Sequence, residues 1–199
     1  IFKYLFIFLL KTRLNLMKRI ACEQIAAGKW LLLNELTYED RKGKIRTWEA
    51  AARQNCAGAV AIICTLKPSN RLILVRQYRP PVNKLTIEFP AGLVNRGENP
   101  EETAVRELRE ETGYHGKVLR ILPPAYSSPG LTSEATCIAI MEANEAEQGS
   151  LQTQFDESED IETLLVEKHT LEAFLLEADK HGEAIDGKLL SYAEALRVD

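Results

Sequence analysis

The chain has 199 residues, 45% hydrophobic and 27% charged, with a formal net charge of −4. That length and apolar share suit one packed domain of mixed structure with a sizeable core, and the acidic balance argues against a nucleic-acid-binding surface. Its four cysteines, Cys22, Cys56, Cys64 and Cys137, show no metal-ligand spacing, and Cys64 and Cys137 lie in apolar runs where they read as core thiols, which fits a reducing compartment: the cytoplasm, or the nucleus in a eukaryote.

The chain opens IFKYLFIFLLKTRLNL, without a methionine. Ten residues with a lysine among them cannot span a bilayer. Ala21-Cys22 is a poor signal-peptide cleavage site. The expected natural start is Met17, with residues 1–16 an artefact of the gene model; a targeting or anchoring segment is the alternative, and no membrane partner is expected. The organisation that follows is a hairpin region over 17–55 and the main domain over 56–199.

Residues 28–38, GKWLLLNELTY, carry a strand pattern, and the polar run Glu39-Asp40-Arg41-Lys42-Gly43 turns the chain into a second strand over 44–53, KIRTWEAAAR. Together they form an antiparallel hairpin. Each strand holds one tryptophan, Trp30 and Trp48, in polar settings where an exposed ring usually has a partner to stack on; core packing is the alternative. Residues 58–66, GAVAIICTL, read as a buried strand and 71–79, RLILVRQYR, as its partner across the loop 67–70. A short strand follows at 85–89, and Pro90-Ala91-Gly92 starts a loop.

The stretch 92–114, GLVNRGENPEETAVRELREETGY, dictates its own local structure. Asn99 suits an N-cap, Pro100 the first helical position, Glu102 a capping box, and Gly113 a C-terminal stop, which predicts a helix over 100–112. At about 3.6 residues per turn, Glu107, Glu110 and Glu111 share one side while Ala104, Val105, Leu108 and Thr112 share another. Like charges at this spacing repel each other unless a cation sits among them, and hard oxygen ligands suit Mg²⁺ or, alternatively, Mn²⁺. A solvated acidic face is the bland alternative. Beyond the helix, strands are expected at 117–122, 136–142 and 161–166, with helices at 171–180 and 188–196. The run 127–134 is too rich in turn residues to be core, and 148–160 is acidic and turn-like. The sum is an α+β chain folded as an α/β/α sandwich with a mixed sheet, plus the N-terminal hairpin.

The same stretch, read as Gly92, Glu98, Arg106-Glu107-Leu108, Glu110-Glu111 and Gly113, resembles the full Nudix box, with Tyr114 where an aliphatic residue is commoner. The seven of these other than Leu108, whose place needs only an apolar residue, recur together by chance at about one position in 10⁸ at roughly one in fifteen each. From about residue 28 onward the chain is similar to the ADP-sugar pyrophosphatases of that superfamily, through GKW and RTWE, VRQYRPP and IEFPAGL, SPGLTSE and DESEDIE. Pro129, sixteen residues past Gly113, resembles the proline that marks the ADP-ribose group.

The resemblance implies a Nudix fold and cleavage of ADP-ribose to AMP and ribose 5-phosphate. It assigns metal binding to Glu107, Glu111 and the Ala91 carbonyl, with Glu110 assisting, and to Arg106 the task of holding the glutamates in register. Arg106 as an ordinary i,i+4 surface pair with Glu110 or Glu102 is the alternative. Glu88, Gly92 and Glu98 would support the site. Trp30 and Trp48 would stack on adenine from different subunits of a hairpin-exchanged homodimer, Glu49 would read the base, and Arg53, Arg79 and Leu93 would meet the rest of the substrate. Glu157, with Glu159 second, would be the base. Other readings are hydrolysis of another nucleoside diphosphate sugar or an oxidised nucleoside diphosphate, and a non-catalytic ADP-ribose-binding module.

Overall fold

A computed structural model describes residues 17–95, 97–155 and 160–197. They fall into two units, one running to Gln54 and taking in Ser128–Glu134, the other holding Asn55–Ser127 and Ala135–Asp199.

The first unit is an antiparallel meander of β1 (Lys18–Ala27), β2 (Leu31–Glu39) and β3 (Ile45–Arg53). Asp40 makes the β2–β3 turn. One oxygen of its carboxylate accepts from the Lys42 and Lys44 amides at 2.8 and 3.0 Å, the other from Arg46 Nε at 3.0 Å, and Gly43 supplies the positive φ of +74°. Those bonds, the Lys42 amide foremost, hold the Asp40 carboxyl below its ordinary range. The hairpin matches the sequence expectation. β1 was not expected: nine of its ten residues are exposed, so no buried face imposes an alternation on its sequence, and it is ordered by pairing along β2.

In the second unit eight strands form one mixed sheet. Its order is β11 (Ala184–Ile185), β6 (Lys84–Glu88), β5 (Arg71–Arg79), β4 (Ala59–Lys67), β9 (Thr136–Asn144), β8 (Lys117–Ile121), with β10 (Ile161–Glu167) on β5 and β7 (Ala91–Leu93) on β4. The β4–β9 and β6–β11 pairs are parallel and the others antiparallel. β4 and β5 meet only at Cys64–Ile73 and Thr65–Leu72; β4 then pairs with β7, and β5 with β6 and β10. Among the described residues three α-helices complete the unit: α1 (Pro100–Thr112), α2 (Leu171–Lys180) and α3 (Gly187–Leu196).

Period-two alternation sends successive sheet residues to opposite faces. On one face Val60, Ile62, Cys64, Leu66 and Ile73 pack with Ala104 and Leu108 of α1. On the other, Leu72, Leu74 and Ile87 pack with Leu171 and Leu175 of α2 and Leu189 of α3. This is the expected α/β/α sandwich, with α1 alone among the α-helices contributing to the first core. Burial pushes the Cys64 thiol up to about 12, with the Glu142 charge adding to the effect. β7 and β11 were not expected, because three- and two-residue strands carry no readable period. No helix among the described residues is long and apolar enough to cross a membrane.

Candidate active site

The helix start is built as the local sequence predicts. Asn99 Oδ1 accepts from the Glu101 and Glu102 amides at 3.0 Å each, and the Asn99 backbone N–H donates in turn to the Glu102 carboxylate at 3.1 Å. At the other end Gly113 takes the left-handed conformation, φ +74°, and its N–H donates to the Arg109 carbonyl at 2.8 Å. Caps at both ends fix which residues are helical, and so which way each carboxylate points. Ala104 and Leu108 are fully buried, and Glu111, one turn beyond Leu108 toward the C-terminus, is 3% exposed.

Arg106 organises the acidic residues. Its Nε and Nη2 grip both oxygens of Glu98 at 2.9 and 3.0 Å, and its Nη1 donates to Glu107 at 2.7 Å and to Glu110 at 2.9 Å. Nη2 also reaches the Leu93 carbonyl at 3.3 Å, tying helix to β7. The i,i+4 contact with Glu110 is thus one of several, and Glu102 is occupied in the capping box. Glu98 further accepts from the Asn95 amide and from Thr103 Oγ1. Arg106 above all, then these bonds, bring the Glu98 carboxyl down to about 2.

Two backbone features bring the glutamates against β7. The Ala91 N–H donates to Glu111 Oε2 at 3.1 Å. A Cβ added at Gly92 would stand 1.9 Å from the Glu107 carboxyl carbon, so only glycine leaves room for that carboxylate. Gly92 lies outside the left-handed region; its requirement is close approach, not conformation. From β5, Arg79 donates through Nε and Nη2 to both oxygens of Glu88 at 2.8 and 2.9 Å, a paired geometry that leaves Glu88 only 9% exposed. Glu88, and more weakly Glu111 and Asp186, hold the Arg79 guanidinium further in its charged form.

Carboxylates on successive turns of α1 beside the β7 backbone are hard oxygen donors of the kind a divalent cation takes, and the glycine cradle holds one of them in place. Among the described residues no three acidic, histidine or cysteine side chains are gathered as a metal-ligand cluster. Glu107 and Glu110 are instead drawn to Arg106, and Glu111 to the Ala91 amide.

The remaining predicted residues on described chain lie in the first unit. Trp30 and Trp48 are 68% and 51% exposed, so neither is a core residue. The Lys29 ammonium lies 4.7 Å from the Trp30 ring centre, and Trp48 Nε1 donates to the Gly130 carbonyl at 3.0 Å. Glu49 is exposed on β3, opposite Glu35. Arg53 is paired through Nε with Glu134, to which the sequence assigns no role of its own; its one sequence signal is its place at the end of the SPGLTSE run. The Gln154 amide donates to the Glu110 carbonyl at 2.8 Å, whereas Glu157 and Glu159 lie outside the described residues.

The NUDIX domain family model matches residues 57–187 of this chain. Over 178 residues the chain is 33% identical to the ADP-ribose pyrophosphatase of Saccharomyces cerevisiae, covering 84% of this chain and 77% of that protein. Over 186 residues it is 36% identical to the ADP-sugar pyrophosphatase of Mus musculus, covering 88% and 85%. A crystal structure of an ADP compounds hydrolase shares the fold with a TM-score of 0.66 over 91% of this chain and 92% of that one, at 19% identity.

Proposed function

Because the chain belongs to the NUDIX domain family, we propose that it hydrolyses the diphosphate of ADP-sugars, ADP-ribose foremost, to AMP and ribose 5-phosphate. The observation that carries this reading is the Arg106 network, which arrays Glu98, Glu107 and Glu110 against the β7 backbone with Glu111 beside it. The choice of substrate is supported by relatives named for ADP-ribose and ADP-sugar, which align with most of the chain.

Metal dependence is typical of this family. Here Glu107, Glu111 and the Ala91 carbonyl would hold Mg²⁺, or Mn²⁺, with Glu110 assisting. Once bound, the ion supplies neutralisation of the diphosphate and a more acidic attacking water. The chain does the rest. Arg106 keeps Glu107 and Glu110 in register. Arg53 and Arg79 take diphosphate or terminal-ribose oxygens, suited to them by the planar fork of the guanidinium, and Leu93 lines the site. Glu88 holds Arg79 by two hydrogen bonds, which limits the freedom that binding must remove. Trp30 and Trp48 stack on adenine from the two subunits of a homodimer, and Glu49 reads the base. Glu157, or Glu159, takes the proton of the attacking water as the phosphorus–oxygen bond of the diphosphate breaks. A cytoplasmic setting fits the free cysteines.

Product analysis with Mg²⁺ tests the reading, comparing ADP-ribose, ADP-glucose, GDP-mannose and 8-oxo-dGDP at equal concentration. AMP formed chiefly from ADP-ribose and lost with chelator is the expected result. Faster turnover of another substrate sinks the specificity, and no turnover of any sinks the hydrolase.

A further inference from the structure

Two side chains that the proposed function gives to the substrate, Trp48 and Arg53, are fastened within their own unit to one distant segment, residues 128–134. Trp48 Nε1 donates to the Gly130 carbonyl at 3.0 Å, and Arg53 Nε donates to the Glu134 carboxylate. The segment is itself anchored on β3: the Ala51 amide donates to the Leu131 carbonyl at 2.8 Å, the Ser133 amide to the Ala51 carbonyl at 3.3 Å, and Thr132 forms a parallel bridge with Ala51. The Glu134 amide is capped by Thr132 Oγ1 at 3.1 Å.

The chemistry of the Arg53 contact is directional. An arginine on an exposed strand end has several free torsions, and its five donors form a rigid fork. A carboxylate at Nε fixes the plane of that fork without using the η nitrogens, which have no hydrogen-bond partner among the described residues. Two parallel η donors match a pair of phosphate oxygens. The Gly130 carbonyl acts likewise on Trp48, since it takes the only donor of the indole and so selects one rotamer of an exposed ring.

We infer that Glu134 is a positioning residue for substrate binding: it holds Arg53 by Nε so that the two η nitrogens are offered to the diphosphate. The inference rests on the reading of Arg53 as a diphosphate contact. Glu134 touches no reacting atom; its effect falls on binding, not on the chemical step. Its negative charge would repel the diphosphate if it were not engaged by Arg53, so the two residues act as a unit and their substitutions are not additive.

The test is a double-mutant cycle on the full chain, reading KM and kcat for ADP-ribose with Mg²⁺ in Arg53→Ala, Glu134→Ala, Glu134→Gln and Arg53→Ala/Glu134→Ala, with a melting curve for each. Glu134→Ala is expected to raise KM about ten-fold with kcat within about two-fold, and Glu134→Gln, which keeps an acceptor oxygen, to raise KM about three-fold. In the Arg53→Ala background, where Glu134 has lost its partner and only repels the diphosphate, Glu134→Ala should leave KM within about two-fold or lower it. If Arg53→Ala raises KM while both Glu134 variants leave it unchanged, this inference fails and the Arg53 reading stands. If Arg53→Ala itself leaves KM unchanged, the Arg53 reading falls, and this inference with it. An equal KM increase from Glu134→Ala in both backgrounds would show that Glu134 supports the segment and not Arg53, which also overturns the inference. Should Glu134→Ala lower the melting temperature, the cycle is read with Glu134→Gln and the added double variant Arg53→Ala/Glu134→Gln, which preserve volume at position 134.

Discussion

Gly92→Ala separates site geometry from stability better than any other single change. The new methyl would stand 1.9 Å from the Glu107 carboxyl carbon and 1.9 Å from Oε1. Ordinary carbon–carbon contact needs about 3.5–4.0 Å, so the Glu107 carboxylate must move by roughly 1.5–2 Å. That displacement exceeds the slack in its 2.7 Å bond to Arg106, so the bond breaks. Glu107 and Arg106 are 14% and 27% exposed, and a partly solvated pair contributes about 0.5–1 kcal/mol. Against this, alanine at a backbone position it can adopt stabilises by about 0.4–1 kcal/mol through the unfolded chain. The two terms nearly cancel. For activity they do not, because a catalytic group misplaced by about 1 Å can cost on the order of 100-fold. Gly92→Ala is therefore expected to melt within about 3 °C of wild type while kcat/KM for ADP-ribose with Mg²⁺ falls about 100-fold. Activity within about three-fold of wild type would refute the requirement for Glu107 in this position. A large fall in melting temperature would mean that Gly92 serves packing.

Glu111→Gln keeps the volume of a side chain that is 3% exposed and still leaves an oxygen for the Ala91 N–H, so fold should survive while turnover drops by at least about 100-fold; chelator-sensitive activity near wild type would remove Glu111 from the metal site. Glu98 has its carboxyl lowered from 4.5 to about 2, so the stability it contributes is complete above pH 4.5 and is lost as pH falls toward 2. Melting temperature between those values should fall less steeply in Glu98→Gln than in wild type, and parallel curves would exclude a linkage role. Asn99→Ala removes both acceptor bonds at the start of α1 and should cost about 1 kcal/mol, read as a lower midpoint in urea with unchanged slope.

What could be read in advance follows the range of the interactions involved. The helix over 100–112 was legible to the residue, because a capping box, a proline at the first position and a left-handed glycine act within a few residues of each other. The strand expected at 58–66 and found at 59–67, the strand at 71–79 and the helix at 171–180 followed from apolar runs long enough to mark an element. β1 was missed because it buries almost nothing, and β7 because three residues have no period.

Most local elements, the two-sided core and the inventory of carboxylates and arginines are thus written in the sequence, since each depends on short-range spacing or on the burial of one face. How those charges are shared is set by packing. Arg106 grips Glu98, Glu107 and Glu110 together, Glu111 turns instead to the Ala91 amide, Arg79 closes on Glu88, and Arg53 pairs with Glu134 eighty-one residues away. The need for a glycine at 92 likewise appears only when α1 is laid against β7 and the Glu107 carboxylate fills the space a side chain would take. A charge has many possible partners along a chain, and which one it meets depends on distances that exist only once the strands and helix have packed.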